Sequence, residues 1–379
     1  MNSSPAWFAI DQCDIHEFAA IVEQPVLPED YPYASNVEQG VLIYESSAMN
    51  AAVGDSEARR LLLSELARAL ESGPGVVLFR RAFDDDAVLD RATEVFREII
   101  AHEKAAGIAP GDHFAEAGAN DRVWNALEKL AVLDPDTFVR YYSNDVLALI
   151  CEAWLGPRYQ VTSQINQVNP GGKAQSPHRD YHLGFQSPKS AEAYPAHVHR
   201  LSPALTLQGG IAHGGVPIEA GPTFLLPNSQ KYGPGYVASH LPEFRDYSER
   251  MAVQIPFAKG DAVFFNPALF HGAGSNRTTG SQRLVNLLQV SSAFGRAMEK
   301  VDRRRVVEAI YPSLLAWKQA GATEGALRNA VGASAEGYAF PLDLDANPPE
   351  GSDAPGAQAD VVLRGLTEEW SPEELAARL

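Results

Sequence analysis

Three side chains in this sequence have the types and spacing of a metal-ligand set. His178 and Asp180 stand two apart in Ser176-Pro177-His178-Arg179-Asp180-Tyr181-His182. His271 follows roughly 90 residues later, in Phe270-His271-Gly272. Two imidazoles and one carboxylate make the facial triad of a non-haem Fe(II) oxygenase, which leaves three positions of the ion open for cosubstrate and O2. On a β-strand, residues i and i+2 point to one face. His178 and Asp180 can therefore grip one ion while Arg179 points away. A tripeptide supplies only two ligands, so the third must come from a strand that the fold brings near. Arg283 comes 12 positions after His271, and its planar guanidinium matches a carboxylate bidentately.

Other readings compete. The chain has 10 histidines, and His197-Val198-His199 repeats the spacing. The surroundings favour His178. Tyr181, Leu183, Gly184 and Phe185 suit the wall of a site. A turn over 258–261 and an apolar strand over 262–265 lead to His271, and Arg283 opens an apolar strand over 284–290. His197 and His199 are expected on a loop between strands, and His213 as a satisfied core histidine. A cupin-like metal isomerase or hydrolase needs more histidine ligands, and the glutamate expected soon after His199 is absent. A non-catalytic jelly-roll binding protein would not need the intact triad with Arg283.

With these motifs the chain resembles the phytanoyl-CoA dioxygenase family of Fe(II)/2-oxoglutarate enzymes over roughly residues 75–295. The likeness includes Ile165-Asn166 and Pro170-Gly171 before the metal strand. It also includes Glu219-Ala220-Gly221, which leads into Pro227-Asn228-Ser229-Gln230. The family usually has Pro-Gly-Ser-His there, so Asn228 replaces a glycine and Gln230 a histidine. Ala273 stands where the family often has Ser or Thr. The resemblance implies Fe(II) held by His178, Asp180 and His271, with 2-oxoglutarate and O2 as cosubstrates. It places Arg283 on the far carboxylate of 2-oxoglutarate and Asn166 on the near one, with Gln164 on the same strand face by the i, i+2 rule. Tyr181, His182 and Phe185 are the pocket-lining candidates. The implied reaction is hydroxylation of an unactivated C–H bond of a small organic substrate, releasing succinate and CO2. Related halogenases carry Ala or Gly at the carboxylate position, so Asp180 favours hydroxylation, or a desaturating or ring-forming variant.

Composition sets limits. A net charge of −17 argues against nucleic-acid or anionic-membrane surfaces. Two cysteines, Cys13 and Cys151, build neither a disulfide framework nor a thiolate site, and Cys151 reads as a core thiol. The first residues lack a signal-peptide pattern, and no apolar run reaches a membrane span. A cytoplasmic setting is expected. The expected partner is a small-molecule substrate, with homo-oligomerisation left open. Arg200, Lys231 and Arg245 are scattered, so no basic cluster demands a CoA thioester, and the choice between acyl-CoA and a free small molecule stays open.

The elements that must position the site follow from periodicity. Residues 1–50 read as an N-terminal arm. Helices are expected over 56–72, 87–105 (capped by the Asp84–Asp86 run), 121–132, 135–154 and 297–320. Short strands are expected over 159–166, 178–185, 205–211, 222–226, 251–255, 261–265, 269–272 and 283–291. The fold class is therefore mainly β with α: a double-stranded β-helix (jelly roll) core flanked by N-terminal and C-terminal helices. The expected oxygenase domain is 51–296, with helical support over 56–154 and the core over about 159–293. Residues 297–379 pack on it as helices and a tail, 341–365 as a loose strap. A last helix starts at Ser371 as cap, with Pro372 and Glu374 behind it.

Overall fold

A computed structural model describes residues 5–107, 118–341, 345 and 356–379. It is a mixed α/β protein built on a large sheet. The described strands are β1 (Asn36–Glu38), β2 (Val41–Glu45), β3 (Val76–Arg80), β4 (Asn120–Val123), β5 (Tyr159–Val168), β6 (Thr206–Ala212), β7 (Phe224–Leu226), β8 (Val253–Gln254), β9 (Ala262–Phe265), β10 (Phe270–Gly272) and β11 (Arg283–Ser292). Eight of them form one sheet in the order β1-β2-β3-β9-β6-β11-β5-β4, and the other three form a second sheet, β10-β7-β8. Among the described strand pairs, only β2–β3 runs parallel. Strands β1 and β2 come from the N-terminal arm.

Alternation along the central strands separates two environments. Leu207 and Ile211 of β6, Leu284 and Leu288 of β11, Ile165 of β5 and Phe264 of β9 are buried in one large core with the helices. The opposite face holds Ala212, Val263, Phe265 and Val285, which pack against Leu225, Ile255 and Leu269. Cross-strand register puts Gln208 beside Gln289, and Gln289 beside Thr162. Gln164, Asn166 and Arg283 share their parity, so all of them face the smaller sheet. Truncating fully buried Phe264 to Ala would cost about 3–5 kcal/mol through the cavity it leaves.

Helix starts follow capping chemistry. Asp55 caps Ser56–Glu71 by accepting from Glu57 and Ala58 N–H. Asp85 caps Asp86–Ala105 in the same way. Ser371 and Glu374 close the reciprocal box on Pro372–Ala376. Three helical expectations need correction. The segment expected as helix 121–132 opens with β4, which pairs with β5, and the helix spans only Ala126–Leu133. The helix expected over 135–154 is two, Pro135–Tyr142 and Asp145–Leu155, because Asn144 caps a new start on Leu147 N–H. The helix expected from 297 begins at Arg303, where Asp302 caps Arg305 N–H. A helix over Glu324–Ser334, capped by Thr323, was not anticipated. Within the expected strap 341–365, residues 342–344 and 346–355 lie outside the described residues, and the end belongs to the helix Gln358–Glu368. His197 and His199 sit on the helix Ala196–Ala204, not a loop. Among the described residues no helix is long and apolar enough to cross a membrane.

Candidate metal centre

His178 and His271 form an isolated antiparallel bridge. His178 N–H donates to the His271 carbonyl at 3.0 Å, and His271 N–H to the His178 carbonyl at 3.1 Å. Asp180 N–H donates to the Pro267 carbonyl at 3.0 Å. The backbone at 178–180 is thus strand-like, and the i, i+2 rule holds where it matters. The expected strand over 178–185 stops there, because Tyr181 (φ 71°) and His182 (φ 41°) turn left-handed into a short 3-10 helix, His182–Phe185.

One potential ligand atom from each of His178, Asp180 and His271 lies within 4.8 Å of the others. His178 Nε2 is 3.6 Å from Asp180 Oδ1, and His271 Nε2 is 3.7 Å from Asp180 Oδ2. Each imidazole is fixed from behind. Nδ1–H of His178 donates to the Ser176 carbonyl and that of His271 to the Leu269 carbonyl, both at 2.8 Å. A carbonyl can only accept, so Nδ1 carries the proton, which leaves Nε2 as the nitrogen that could ligate an ion. Burial raises the Asp180 carboxyl, but His271, His178 and Gln208 outweigh it and hold the group below the usual carboxylate range. Burial and the nearby His271 push the His178 pKa down. Two imidazoles turned to present Nε2 and one carboxylate fit a divalent ion such as Fe(II).

Two supporting residues escaped the sequence reading. Gln208 Nε2 donates to Asp180 Oδ2 at 2.5 Å, while its own Oε1 is buried without a partner. Its signal was a polar residue inside the otherwise apolar or small-residue run of β6. Arg179 does point away from the ion, but into protein. Its guanidinium donates to the Ser229 and Tyr232 carbonyls at 2.6 and 2.9 Å, and lies over the rings of Tyr236 and Phe270. Gly235 makes the room, since a Cβ there would collide with that guanidinium. Arg179 thus braces the strand carrying two ligands against Phe270, the neighbour of the third.

The other expected residues fall as follows. Arg283 is only 6 % exposed, and burial lowers its pKa to about 10. Its Nη1 donates to the Ala220 and Gly274 carbonyls at 3.2 and 3.1 Å. Among the described residues no carboxylate pairs with it, so a buried cation is left able to take an anion. Asn166 accepts from Asn120, and Gln164 from Arg122, each at 3.1 Å. Tyr181 is buried, its hydroxyl 3.4 Å from Ser291 Oγ, with its pKa raised by burial to about 12. His182 is half-buried near Ser202, and Phe185 is 52 % exposed. His213 lies in the helical core between Thr93 and Tyr141, and burial pushes its pKa down to about 3. Asn228 holds the left-handed conformation (φ 70°) that a glycine would take, as asparagine tolerates. Gln230 donates to the Gly73 carbonyl.

The phytanoyl-CoA dioxygenase (PhyH) family model matches residues 73–284, more than half of the chain. Human peroxisomal phytanoyl-CoA dioxygenase is 28 % identical over 157 residues, covering 39 % of this chain and 44 % of the human protein. The chain thus spans less than half the length of that relative. Among solved structures, the non-haem α-ketoglutarate-dependent epimerase SnoN from nogalamycin biosynthesis has a TM-score of 0.45 at 21 % identity, covering 62 % of this chain and 84 % of that one. The non-haem α-ketoglutarate-dependent carbocyclase SnoK from the same biosynthesis has a TM-score of 0.44 at 20 % identity, covering 62 % and 86 %.

Proposed function

The chain belongs to the phytanoyl-CoA dioxygenase family, and on that premise we propose that it is an Fe(II)- and 2-oxoglutarate-dependent oxygenase. Its reaction hydroxylates an unactivated C–H bond of a small organic substrate and releases succinate and CO2. The observation that carries this reading is the convergence of His178, Asp180 and His271, with both imidazoles locked so that Nε2 faces the same point. The large sheet facing the small one supports a double-stranded β-helix, with residues 51–296 as the catalytic domain.

When bound, the ferrous ion would supply the place where O2 and the keto acid meet. The chain's own tasks are binding, orientation and exclusion. Gln208 aims the Asp180 carboxylate, which His271 and His178 keep ionised. Arg283, buried and without a carboxylate partner, takes the far carboxylate of 2-oxoglutarate through a charge-assisted pair. Asn166 and Gln164 share the Arg283 face of the sheet and approach the near carboxylate. Tyr181 fills the wall beside Asp180. The presence of a carboxylate at 180 favours oxygen transfer over halogen transfer.

The reading is tested by measuring succinate formed from 2-oxoglutarate with Fe(II) in air, with and without candidate substrates. The wild-type chain forms succinate in an Fe(II)-dependent way, and His178→Ala does not. Full iron-dependent turnover by His178→Ala would remove this residue from the ligand set.

A further inference from the structure

Beyond the triad the molecule carries a cavity of about 580 Å3, formed by the segment after β11 and the stretch 336–341. This volume is within the range of about 300–1,000 Å3 that holds drug-sized ligands. Three aromatic side chains on it are exposed in spite of their size: Phe294 at 67 %, Phe340 at 46 % and Tyr338 at 39 %. They contact one another, with ring centroids 6.3 Å apart for Phe294–Tyr338 and 5.6 Å for Tyr338–Phe340. A cluster of exposed rings in a solvent-facing cavity is the kind of apolar patch that binding faces present.

Three cations, Arg296, Lys300 and Arg303, and two carboxylates, Glu299 and Glu336, line the cavity, an excess of one positive charge. Glu336 is taken up by Gln160 Nε2 and by the Tyr338 N–H. Arg303 is tied to the Val161 and Ala333 carbonyls. Glu299 Oε1 accepts from Asn125 N–H, and its Oε2 is buried without a partner. The side chains of Arg296 and Lys300 are exposed on the same wall and make no hydrogen bond or ion pair among the described residues. In a chain of net charge −17, two unpaired cations beside three rings set a local preference for an anion.

The cavity is coupled to the metal strand. Ser291 Oγ–H donates to the Arg296 carbonyl at 3.1 Å and lies 3.4 Å from the hydroxyl of Tyr181, the residue after Asp180. Gln160 and Ser291 are paired in register and share the site-facing side of the sheet. Through the buried Ser291 side chain the cavity wall touches Tyr181, the residue next to Asp180.

We propose that this cavity binds the non-reacting part of the substrate and selects an organic anion with a ring body. The ring lies on Phe294, Tyr338 and Phe340, and the acid group pairs with Arg296 and Lys300. This rests on the oxygenase reading for its link to the metal, but the binding preference stands on the cavity alone.

The test is calorimetric titration of the full chain, without iron, with four probes: naphthalene-2-carboxylate, naphthalene-2-methanol, naphthalene-2-methylamine and decanoate. The carboxylate binds tightest, and the alcohol and decanoate bind about tenfold more weakly, as loss of one charge pair or one ring face implies. The double variant Arg296→Ala/Lys300→Ala brings the carboxylate level with the alcohol, while Phe294→Ala weakens both. These side chains are exposed, and matching thermal midpoints verify that the variants fold. Salt weakens wild-type binding of the carboxylate and not of the alcohol. An amine that binds as tightly as the carboxylate, decanoate that binds as tightly as the naphthoate, or a double variant with undiminished affinity overturns the proposal. The link to the metal is read by Mn(II)-induced broadening of the naphthoate proton resonances. Broadening with the wild-type chain supports it, and its absence while Mn(II) is bound overturns it. If His178→Ala leaves Mn(II) affinity unchanged, the metal reading fails and the titrations still decide the cavity.

Discussion

Replacing Gln208 by Leu keeps most of the volume and removes one donor, the amide that reaches Asp180 Oδ2 at 2.5 Å. A hydrogen bond to a charged group contributes about 1.5–3 kcal/mol. Taking about 2 kcal/mol, and about 1.4 kcal/mol per tenfold, metal affinity falls by about 30-fold. That lies inside the roughly 10–100-fold span seen when outer partners of metal ligands are lost. The other half of the amide sharpens the expectation. Gln208 Oε1 already lacks a partner, so leucine relieves one buried polar atom while it leaves Asp180 Oδ2 without its amide donor. These two effects offset each other in the metal-free fold, so apoprotein stability should change less than metal affinity does. The assay is an anaerobic Fe(II) titration against a competing chelator, with urea unfolding of the apoprotein alongside. Unchanged metal affinity in Gln208→Leu would refute the idea that this amide aims the carboxylate. A large fall in apoprotein stability would show that its role is structural instead.

Three further outcomes are expected. Arg283→Leu raises the dissociation constant for 2-oxoglutarate by about 100-fold, the loss of a buried charge-assisted pair of about 3 kcal/mol, while Arg283→Lys recovers part of it; calorimetry on the metal-loaded protein reads both. The His213 pKa is about 3 in the fold, below its ordinary value of about 6.5, so its contribution to stability is complete above pH about 6.5 and declines as the pH falls toward 3. The decline approaches about 1.4 kcal/mol per pH unit; urea midpoints at pH 7 and pH 5 measure it, and His213→Gln should flatten the slope. Mn(II) at about 100 times its dissociation constant should raise the unfolding free energy by about 2.7 kcal/mol. Thermal or urea unfolding reads this gain, which His271→Ala should abolish.

The sequence made the strands between 159 and 292 legible because they alternate between a helix-packed face and a site face, with Gly and Pro between them. The expected 283–291 strand and the observed β11 differ at one end by a single residue. The spacing of His178 and Asp180 was legible for the same reason. Gln208 was not, because its role depends on β6 lying beside β11 in the sheet, and nothing local specifies that neighbour. The turn after Asp180 was also hidden. Tyr181 and His182 take left-handed backbone conformations that neither residue favours, and these are held by tertiary contacts such as Tyr181 with Ser291. The helix expected from 297 was too early because its periodicity continues backwards into a segment where the cap at Asp302 decides the start. Arg283 could be placed on its strand from sequence, whereas its burial without an acidic partner required the fold.

The central claim is that residues 178, 180 and 271 share one ion beside a guanidinium that anchors the keto acid. An anomalous difference map from crystals equilibrated anaerobically with Mn(II) and 2-oxoglutarate tests it most directly. One strong peak bounded by His178 Nε2, the Asp180 carboxylate and His271 Nε2 is expected, with the far carboxylate of the keto acid on Arg283. A peak elsewhere, or a bound keto acid that leaves Arg283 untouched, would contradict it.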